Sequence, residues 1–520
     1  MLMDAADFRE SLRKYHPRVF VDGTRVTSVA DDPRLRPGIN ALGVTYDYAR
    51  NPNFKTLALA HDQFTHKTVN RFLHLNSTAD DLLAKLEYTR LVCQETGCAM
   101  RYLAMDGLNA LFQVTHRVDA DAKRDYHPRF LAYLERIQDE DLTVGIAMTD
   151  AKGDRSLRPH QQANVDSYVH IVERRADGVV ISGTKAIVTA APYVHELLVV
   201  PGRAMTAEDA DFAVAVAVPI DAAGLTIIAR PAGRPGQTKA LFSGKYGQTT
   251  GVCVFDKVFV PWDRVFLCGE WEHSEFLTKS YATHHRHTCI GARAGFGDLL
   301  IGAGALLLEA NGLDCNRHGH LRDTMVELIK LVEGFYACGV AASVYGEKDP
   351  AGNMEPEAVF ANIGKLLLAT QIYDMHRLAH ELSGGLIVAL PNPEEDHNPE
   401  TRADLAAVLA GRPDIPYAKR AQTARFIEDL TASDAAGWMS VISLHGGGSP
   451  EAMRREIYRR YPIPERKALV ENLIDRGLLA VNAPLPLGGA VQPGQCCDTG
   501  CVVPEAPKPL RFVAPSSAKN

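Results

Sequence analysis

The chain has 520 residues, 56 Lys+Arg against 63 Asp+Glu, a formal net charge of −7 and 46% hydrophobic residues, a globular composition with room for about three domains at roughly 100–200 residues each. A sequence pI near 6.3 lacks the broad basic field that nucleic acid or an anionic membrane surface attracts, which argues against both partners. Ten scattered cysteines are too sparse for a disulfide scaffold and fit a reducing compartment, the cytoplasm by default.

The opening MLMDAADFRESLRKYHPRVF has no basic start followed by an apolar core, so no secretory signal is expected. Residues 1–142 are dominated by helical periods, as in Asp80 to Val92 and Tyr126 to Ile137. One hairpin interrupts them, with Asp22-Gly23 as its tight turn between Val19–Val21 and Thr24–Val26. Across 143–270 the texture becomes short β-branched runs: Tyr168–Glu173, Val179–Ser182, Glu196–Val200, Phe212–Val218, Leu225–Ala229 and Val252–Val260. Strands at this spacing without intervening helices predict a β-domain of sandwich or barrel type. Helical periods return over 271–481, including Leu299–Asn311, Met325–Tyr345, Pro356–Leu382 and Ile463–Leu478. The apolar run Leu299–Leu308 rises only about 15 Å as a helix, half a bilayer core, and reads as a buried core helix. Residues 482–520, rich in Pro and Gly, read as a tail.

No strand–GxGxxG–helix unit is present. GARAGFG at 291–297 lies inside a helical stretch, where small residues allow close helix packing. The segment Met148–Arg155 (MTDAKGDR), taken bare, is a hydrogen-bonded polar loop. Gly446-Gly447-Gly448-Ser449-Pro450 is either an anion site at a helix start or a simple turn, and Gly384-Gly385 ends the preceding helix. In Thr283-His284-His285-Arg286-His287-Thr288-Cys289, with Arg293 beyond, His285 and Cys289 share a helix face at i,i+4. They could hold a metal or a proton together, while a solvated polar face is the plainer reading. Cys93 and Cys98 read as buried, unreactive thiols. Cys496, Cys497 and Cys501 in the tail read either as an incomplete metal or redox site or as a chance cluster.

Many motifs in one order, among them RPGINALGVTYDYA, MDGLNA, MTDAKGDR, GTKAIVTAA, VFDKVFVPWDRVFLC, HHRHTCIGARAGFGDLLIGA, LSGGLIVALP and LHGGGSP, resemble the 4-hydroxyphenylacetate 3-hydroxylase / 4-hydroxybutyryl-CoA dehydratase flavoprotein family, the dehydratase branch most closely. The resemblance implies an α+β, acyl-CoA dehydrogenase-like fold: N-terminal helical domain, middle β-barrel and C-terminal helical bundle, as a homotetramer binding FAD. It implies that Met148, Thr149, Asp150, Lys152 and Gly153, with Lys185 and Thr189, line the flavin ring and ribityl chain. Gly384, Gly385, Gly446, Gly447 and Gly448 would meet its phosphate or adenine end.

Departures from the family pattern are equally informative. The dehydratase cluster is held by three cysteines and a histidine, and here those positions carry Cys98, Tyr102, His285 and Ala292. A phenol and a methyl group do not replace two thiolates, so no metal site is expected. The carboxylates near the dehydratase substrate are replaced by Thr250 and Ile442, and the hydroxylase's phenol-binding Arg and Tyr by Leu103 and Gly107. The favoured expectation is therefore a FAD-dependent monooxygenase acting on a different small molecule, with reduced flavin from a separate reductase. His285 would exchange protons, Arg293 would pair charge and Tyr102 would form a hydrogen-bonding wall. The alternative is a cluster-less acyl-CoA Δ-isomerase or dehydratase with His285 as base.

Overall fold

The computed structural model describes residues 2–475; Cys496, Cys497 and Cys501 and the expected tail lie outside them. One compact unit extends to Tyr461, and a second begins at Pro462, of which the helix Ile463–Asp475 is described.

Asp22 and Gly23 both take positive φ, 49° and 73°, the backbone of a primed two-residue turn, and the hairpin forms as Arg18–Val21 and Thr24–Arg25. Its position is not local. Arg18–Val21 pairs in parallel with Leu225–Ala229, so the N-terminal segment supplies two strands to a six-stranded sheet. That sheet continues through Thr250–Pro261, Gly178–Thr189 and His170–Arg174. A second sheet orders Val265–Cys268, Val214–Pro219, Glu196–Val199 and Val144–Ala147. Val19, Ile181, Ile227 and Cys253 from the first share one buried cluster with Leu197, Val216 and Val265 from the second.

The architecture is thus mixed helix and sheet, but the expected barrel needs correcting. Closure requires an unbroken ladder around the sheet, and here the chain leaves the first sheet at Pro261 and enters the second at Val265 through the short turn Trp262–Arg264. Two open sheets pack face to face, and no closed barrel forms among the described residues.

The helical part is organised around Ser274–Ala310, a single helix of 37 residues. It joins three stretches that the sequence shows separately: the polar cluster, the Gly-rich segment and the apolar run. Ala79–Thr96, Tyr102–Ala122, Gly319–Val344 and Ala358–Ser383 pack around it. A Cβ at Gly291 would lie 2.5 Å from the Leu86 carbonyl oxygen, and one at Gly295 2.3 Å from that of Arg90. Backbone therefore approaches backbone, and only glycine fits. At the same crossing Arg90 donates from Nε and Nη2 to Asp298 at 2.8 and 2.7 Å and pairs with Glu333 of a third helix. The most apolar window of the central helix is 67% buried inside the molecule, so its apolar length serves helix packing.

Candidate active site

The polar stretch of the central helix is not a solvated face. Thr283 through Thr288 are all buried, His284, His287 and Thr288 completely so. A buried polar group costs stability unless it finds a partner; several of these find theirs on neighbouring helices, while both ring nitrogens of His284 are left without one. His287 Nε2 meets Ser343 Oγ at 2.8 Å. Arg286 donates to Asn362 Oδ1 at 2.7 Å and to the Gly447 carbonyl at 2.9 Å, holding the 446–448 loop down.

His285 occupies the centre. Its Nδ1 lies 3.1 Å from Asp106 Oδ2 and its Nε2 3.5 Å from Cys289 Sγ one turn on. Asp106 also accepts from Thr288 Oγ1 at 2.6 Å and faces Lys85 Nζ at 3.7 Å. The imidazole stacks with two phenols, Tyr281 at 5.4 Å and Tyr102 at 6.1 Å between ring centroids. Gly447, at φ +77°, closes over the ring edge: a Cβ there would sit 3.2 Å from His285 Cδ2.

Charge follows from these contacts. Burial opposes a proton on His285, but the Cys289 sulfur and the Asp106 carboxylate more than offset it and hold the imidazolium up at about 9. Burial likewise pushes the Cys289 thiol up, and the imidazolium reverses this, leaving the thiol below its usual value. Burial drives Lys85 and Lys365 down to about 8. Arg293 Nη1 donates to Cys98 Sγ at 3.5 Å and Nε to Ser443 Oγ at 2.5 Å. Cys93 is buried, and that burial raises its thiol. The Tyr102 hydroxyl is fully buried with no hydrogen-bond partner, in the field of Cys98, Cys289 and Arg293.

The other expected site residues lie elsewhere. Asp150 and Lys185 form a buried ion pair at 2.7 Å, and the ammonium also donates to the Met148 and Val200 carbonyls. The Thr149 carbonyl accepts from Ala186 N, and Thr189 is buried further along the same strand. The adjoining loop turns through Lys152 and Gly153 at φ +75° and +52°. Burial, with Arg155 and Arg203 nearby, depresses the Lys152 ammonium against the attraction of Asp150. Gly384 caps the helix Ala358–Ser383 in open space. Gly446 ends Asp434–His445, and Ser449 caps Pro450–Arg460 by accepting from Ala452 N. Beside Cys98, the residues Phe242, Tyr246, Gln248, Phe296, Trp438 and Met439 line a small pocket of about 40 Å³.

Comparison with known proteins follows this geometry. The sequence profile of the 4-hydroxyphenylacetate 3-hydroxylase N-terminal region matches residues 4–267, and that of its C-terminal region residues 275–475. The chain belongs to the 4-hydroxyphenylacetate 3-hydroxylase family. Within it, the chain is 36% identical over 489 residues, 91% of its length and 99% of the relative's, to the 4-hydroxybutyryl-CoA dehydratase/vinylacetyl-CoA Δ-isomerase of Clostridium aminobutyricum. It is 24% identical to the 4-hydroxyphenylacetate 3-monooxygenase oxygenase component of Geobacillus sp., over 92% of this chain and 97% of that one. Among solved structures, an oxygen-tolerant archaeal 4-hydroxybutyryl-CoA dehydratase from N. maritimus aligns with TM-score 0.87 at 34% identity, covering 91% and 95% of the two chains. A 4-hydroxyphenylacetate 3-monooxygenase oxygenase component complexed with FAD and 4-hydroxyphenylacetate shares the fold, with TM-score 0.79 at 20% identity over 92% and 99%. These relatives are enzymes, and so is the family.

The family's iron–sulfur cluster does not fit this chain. Two ligand positions carry Tyr102 and Ala292, a phenol and a methyl group in place of two thiolates, which leaves Cys98 and His285 as half a ligand set. No group of three His, Cys, Asp or Glu side chains is arranged for a metal ion among the described residues. The chemistry present does suit an anionic cofactor such as the flavin of this family: Lys152, Arg155 and Arg203 gather positive charge beside a turn of left-handed backbone.

Asp106 and Lys85 were not singled out by the sequence reading. The available signal was a charge within an apolar stretch: Asp106 stands among Leu103, Met105 and Leu108, and Lys85 among Leu82, Leu83 and Leu86. Charged residues on an inward helical stripe are buried only with partners.

Proposed function

We propose that this enzyme binds FAD and moves a proton along a small β,γ-unsaturated acyl thioester, in the manner named for its 36%-identical relative, without an iron–sulfur cluster. The carrying observation is the buried imidazole of His285, oriented by Asp106 and walled by Tyr102 and Tyr281. A proton-transfer group held in one orientation and away from water suits carbon acid chemistry, where the group that exchanges the proton must be placed before it can act. The unmet Tyr102 hydroxyl and the Arg293 guanidinium are donors suited to a thioester oxygen, which gains negative charge as the α proton leaves. A flavin bound beside the acyl chain supplies reversible electron acceptance.

The oxygenase reading favoured by the sequence loses ground at two positions. Leu103 is apolar and Gly107 carries no side chain, so neither position offers a group that would recognise a phenol. Fold-level likeness and relatives at 22–25% identity remain in its favour.

Anaerobic incubation of the FAD-loaded enzyme with vinylacetyl-CoA, read by chromatography of the CoA esters, tests the proposal. Crotonyl-CoA is the expected product, and His285→Ala is expected to retain flavin while slowing turnover by roughly 10²–10⁴-fold. No product under these conditions, with oxygen consumed when reduced flavin and a phenol are supplied, would establish the oxygenase instead.

A further inference from the structure

A cavity of about 310 Å³, at the lower end of the size usual for ligand pockets, lies between the first half of the central helix and the helix Pro450–Arg460. Five charged side chains line it, and four of them are already paired: Lys279 with Glu275, Glu451 with Arg455, and Glu456 with Arg459 and Arg460. Arg286 is the fifth. It is only 5% exposed, and it donates to neutral acceptors, from Nε to the Gly447 carbonyl at 2.9 Å and from Nη1 to Asn362 Oδ1 at 2.7 Å. Its Nη2 makes no hydrogen bond, and no carboxylate among the described residues forms an ion pair with it. A guanidinium keeps its charge throughout the physiological range, and a cation taken out of water without a counter-ion is costly. The chain nevertheless keeps this one on a cavity wall. The backbone opposite adds donors: Ser449 Oγ accepts from the Ala452 amide, whereas the Glu451 amide beside it has no acceptor among the described residues. The cavity also adjoins the candidate active site, because a Cβ at Gly447 would meet both His285 Cδ2, at 3.2 Å, and Arg286 Cγ, at 3.4 Å.

We infer that this cavity is a phosphate-binding subsite, with Arg286 as its buried cation and the start of Pro450–Arg460 as its backbone donor. A planar fork of N–H groups and the amides at a helix start match the several oxygens of a phosphate, where a single ammonium would meet only one. The acids on the wall do not oppose this, since each is neutralised by an arginine of its own helix. The subsite is distinct from the cations Lys152, Arg155 and Arg203, which belong to the loop assigned above to the flavin. Two sources of phosphate share this chemistry. One is the coenzyme A end of an acyl thioester, a source that rests on the isomerase reading above; the other is free phosphate, which does not.

The test is isothermal titration calorimetry of the full-length FAD-loaded protein at constant ionic strength. The titrants are coenzyme A, pantetheine (the same thiol arm without phosphate), inorganic phosphate and chloride, and the proteins are wild type, Arg286→Met and Ala282→Glu. Ala282 lines the cavity one turn before Arg286, so a glutamate there supplies the missing partner at i,i+4 and leaves the Arg286 side chain in place. Flavin content and far-UV circular dichroism report folding. Coenzyme A is expected to bind wild type roughly 10–100-fold more tightly than pantetheine, the worth of a charge-assisted contact, with that preference gone in both variants. Saturable binding of inorganic phosphate without a preference for coenzyme A, lost in both variants, supports the subsite with free phosphate as its ligand. A preference for coenzyme A, or saturable phosphate binding, kept in either folded variant overturns the inference. So does a wild type that shows no such preference and binds phosphate no better than chloride, an adventitious ion only. Phosphate binding by the apoprotein that FAD loading abolishes also overturns it, because the cavity is then the cofactor's. Turnover of vinylacetyl-CoA by the wild type, measured alongside, judges the isomerase reading separately: an inactive enzyme that still binds phosphate through Arg286 loses that reading and keeps the subsite.

Discussion

Lys185 illustrates how a residue's chemistry is set by what surrounds it. Its ammonium is buried against Asp150 and two backbone carbonyls, which fixes the start of the 148–155 loop to the strand Gly178–Thr189. Removing one member of a buried pair leaves the other charged and unsolvated. Lys185→Met is therefore expected to cost about 3–5 kcal/mol in urea-induced unfolding, whereas Lys152→Met, at a half-buried position outside that ion pair, should leave stability near wild type and weaken FAD binding. Equal loss of stability in both variants would contradict this division. At this scale the sequence was partly legible. The shared face of His285 and Cys289 follows from helix geometry alone, and the structure adds the contact. The partners are not visible in spacing: Asp106 is 179 positions from His285, and only tertiary packing brings them together. Asp150 and Lys185 were expected to face the flavin, and their partnership across 35 positions follows from a single isolated bridge between loop and strand.

Among the elements, the central helix sets the alignment of the candidate site. His285 and Cys289 belong to it, Asp106 and Tyr102 to Tyr102–Ala122, and Lys85 to Ala79–Thr96. Their distances depend on the close crossing at Gly291 and Gly295. Gly295→Ala forces a methyl group against the Arg90 carbonyl and the Cys93 side chain; overpacking of this kind typically costs about 1–3 kcal/mol. Because the helices must part to admit it, turnover should fall more than stability alone accounts for, with flavin affinity nearly unchanged. An alanine variant as active as wild type would show that the crossing can relax without disturbing His285. The close packing was legible, since small residues inside a helical period have that common use. The helix length was less so, because the polar cluster breaks the apolar period that marks Leu299–Leu308. Sheet closure was not legible either: strand spacing is the same for a sandwich and a barrel, and the difference lies in how one three-residue turn after Pro261 directs the chain.

For the whole molecule, cofactor content is the decisive property. The purified protein is expected to show a flavin spectrum released by denaturation, with iron and acid-labile sulfide far below the roughly four of each that one [4Fe–4S] cluster brings. Stoichiometric iron with sulfide would mean that Cys93, Cys98 and Cys289 rearrange around it, and protein that takes up no FAD would remove the basis for both enzymatic readings. The parallel pairing of Arg18–Val21 with Leu225–Ala229 also has a consequence in time. A ribosome adds about 5–20 residues per second, so the first strand waits roughly 10–40 s for its partner to emerge. Until then the nascent sheet cannot be completed, and Leu225–Ala229, once made, depends on a segment synthesised long before it. Truncating or occluding the first twenty-five residues would thus leave that strand with a bare edge, open to capture by a neighbouring chain on the polysome.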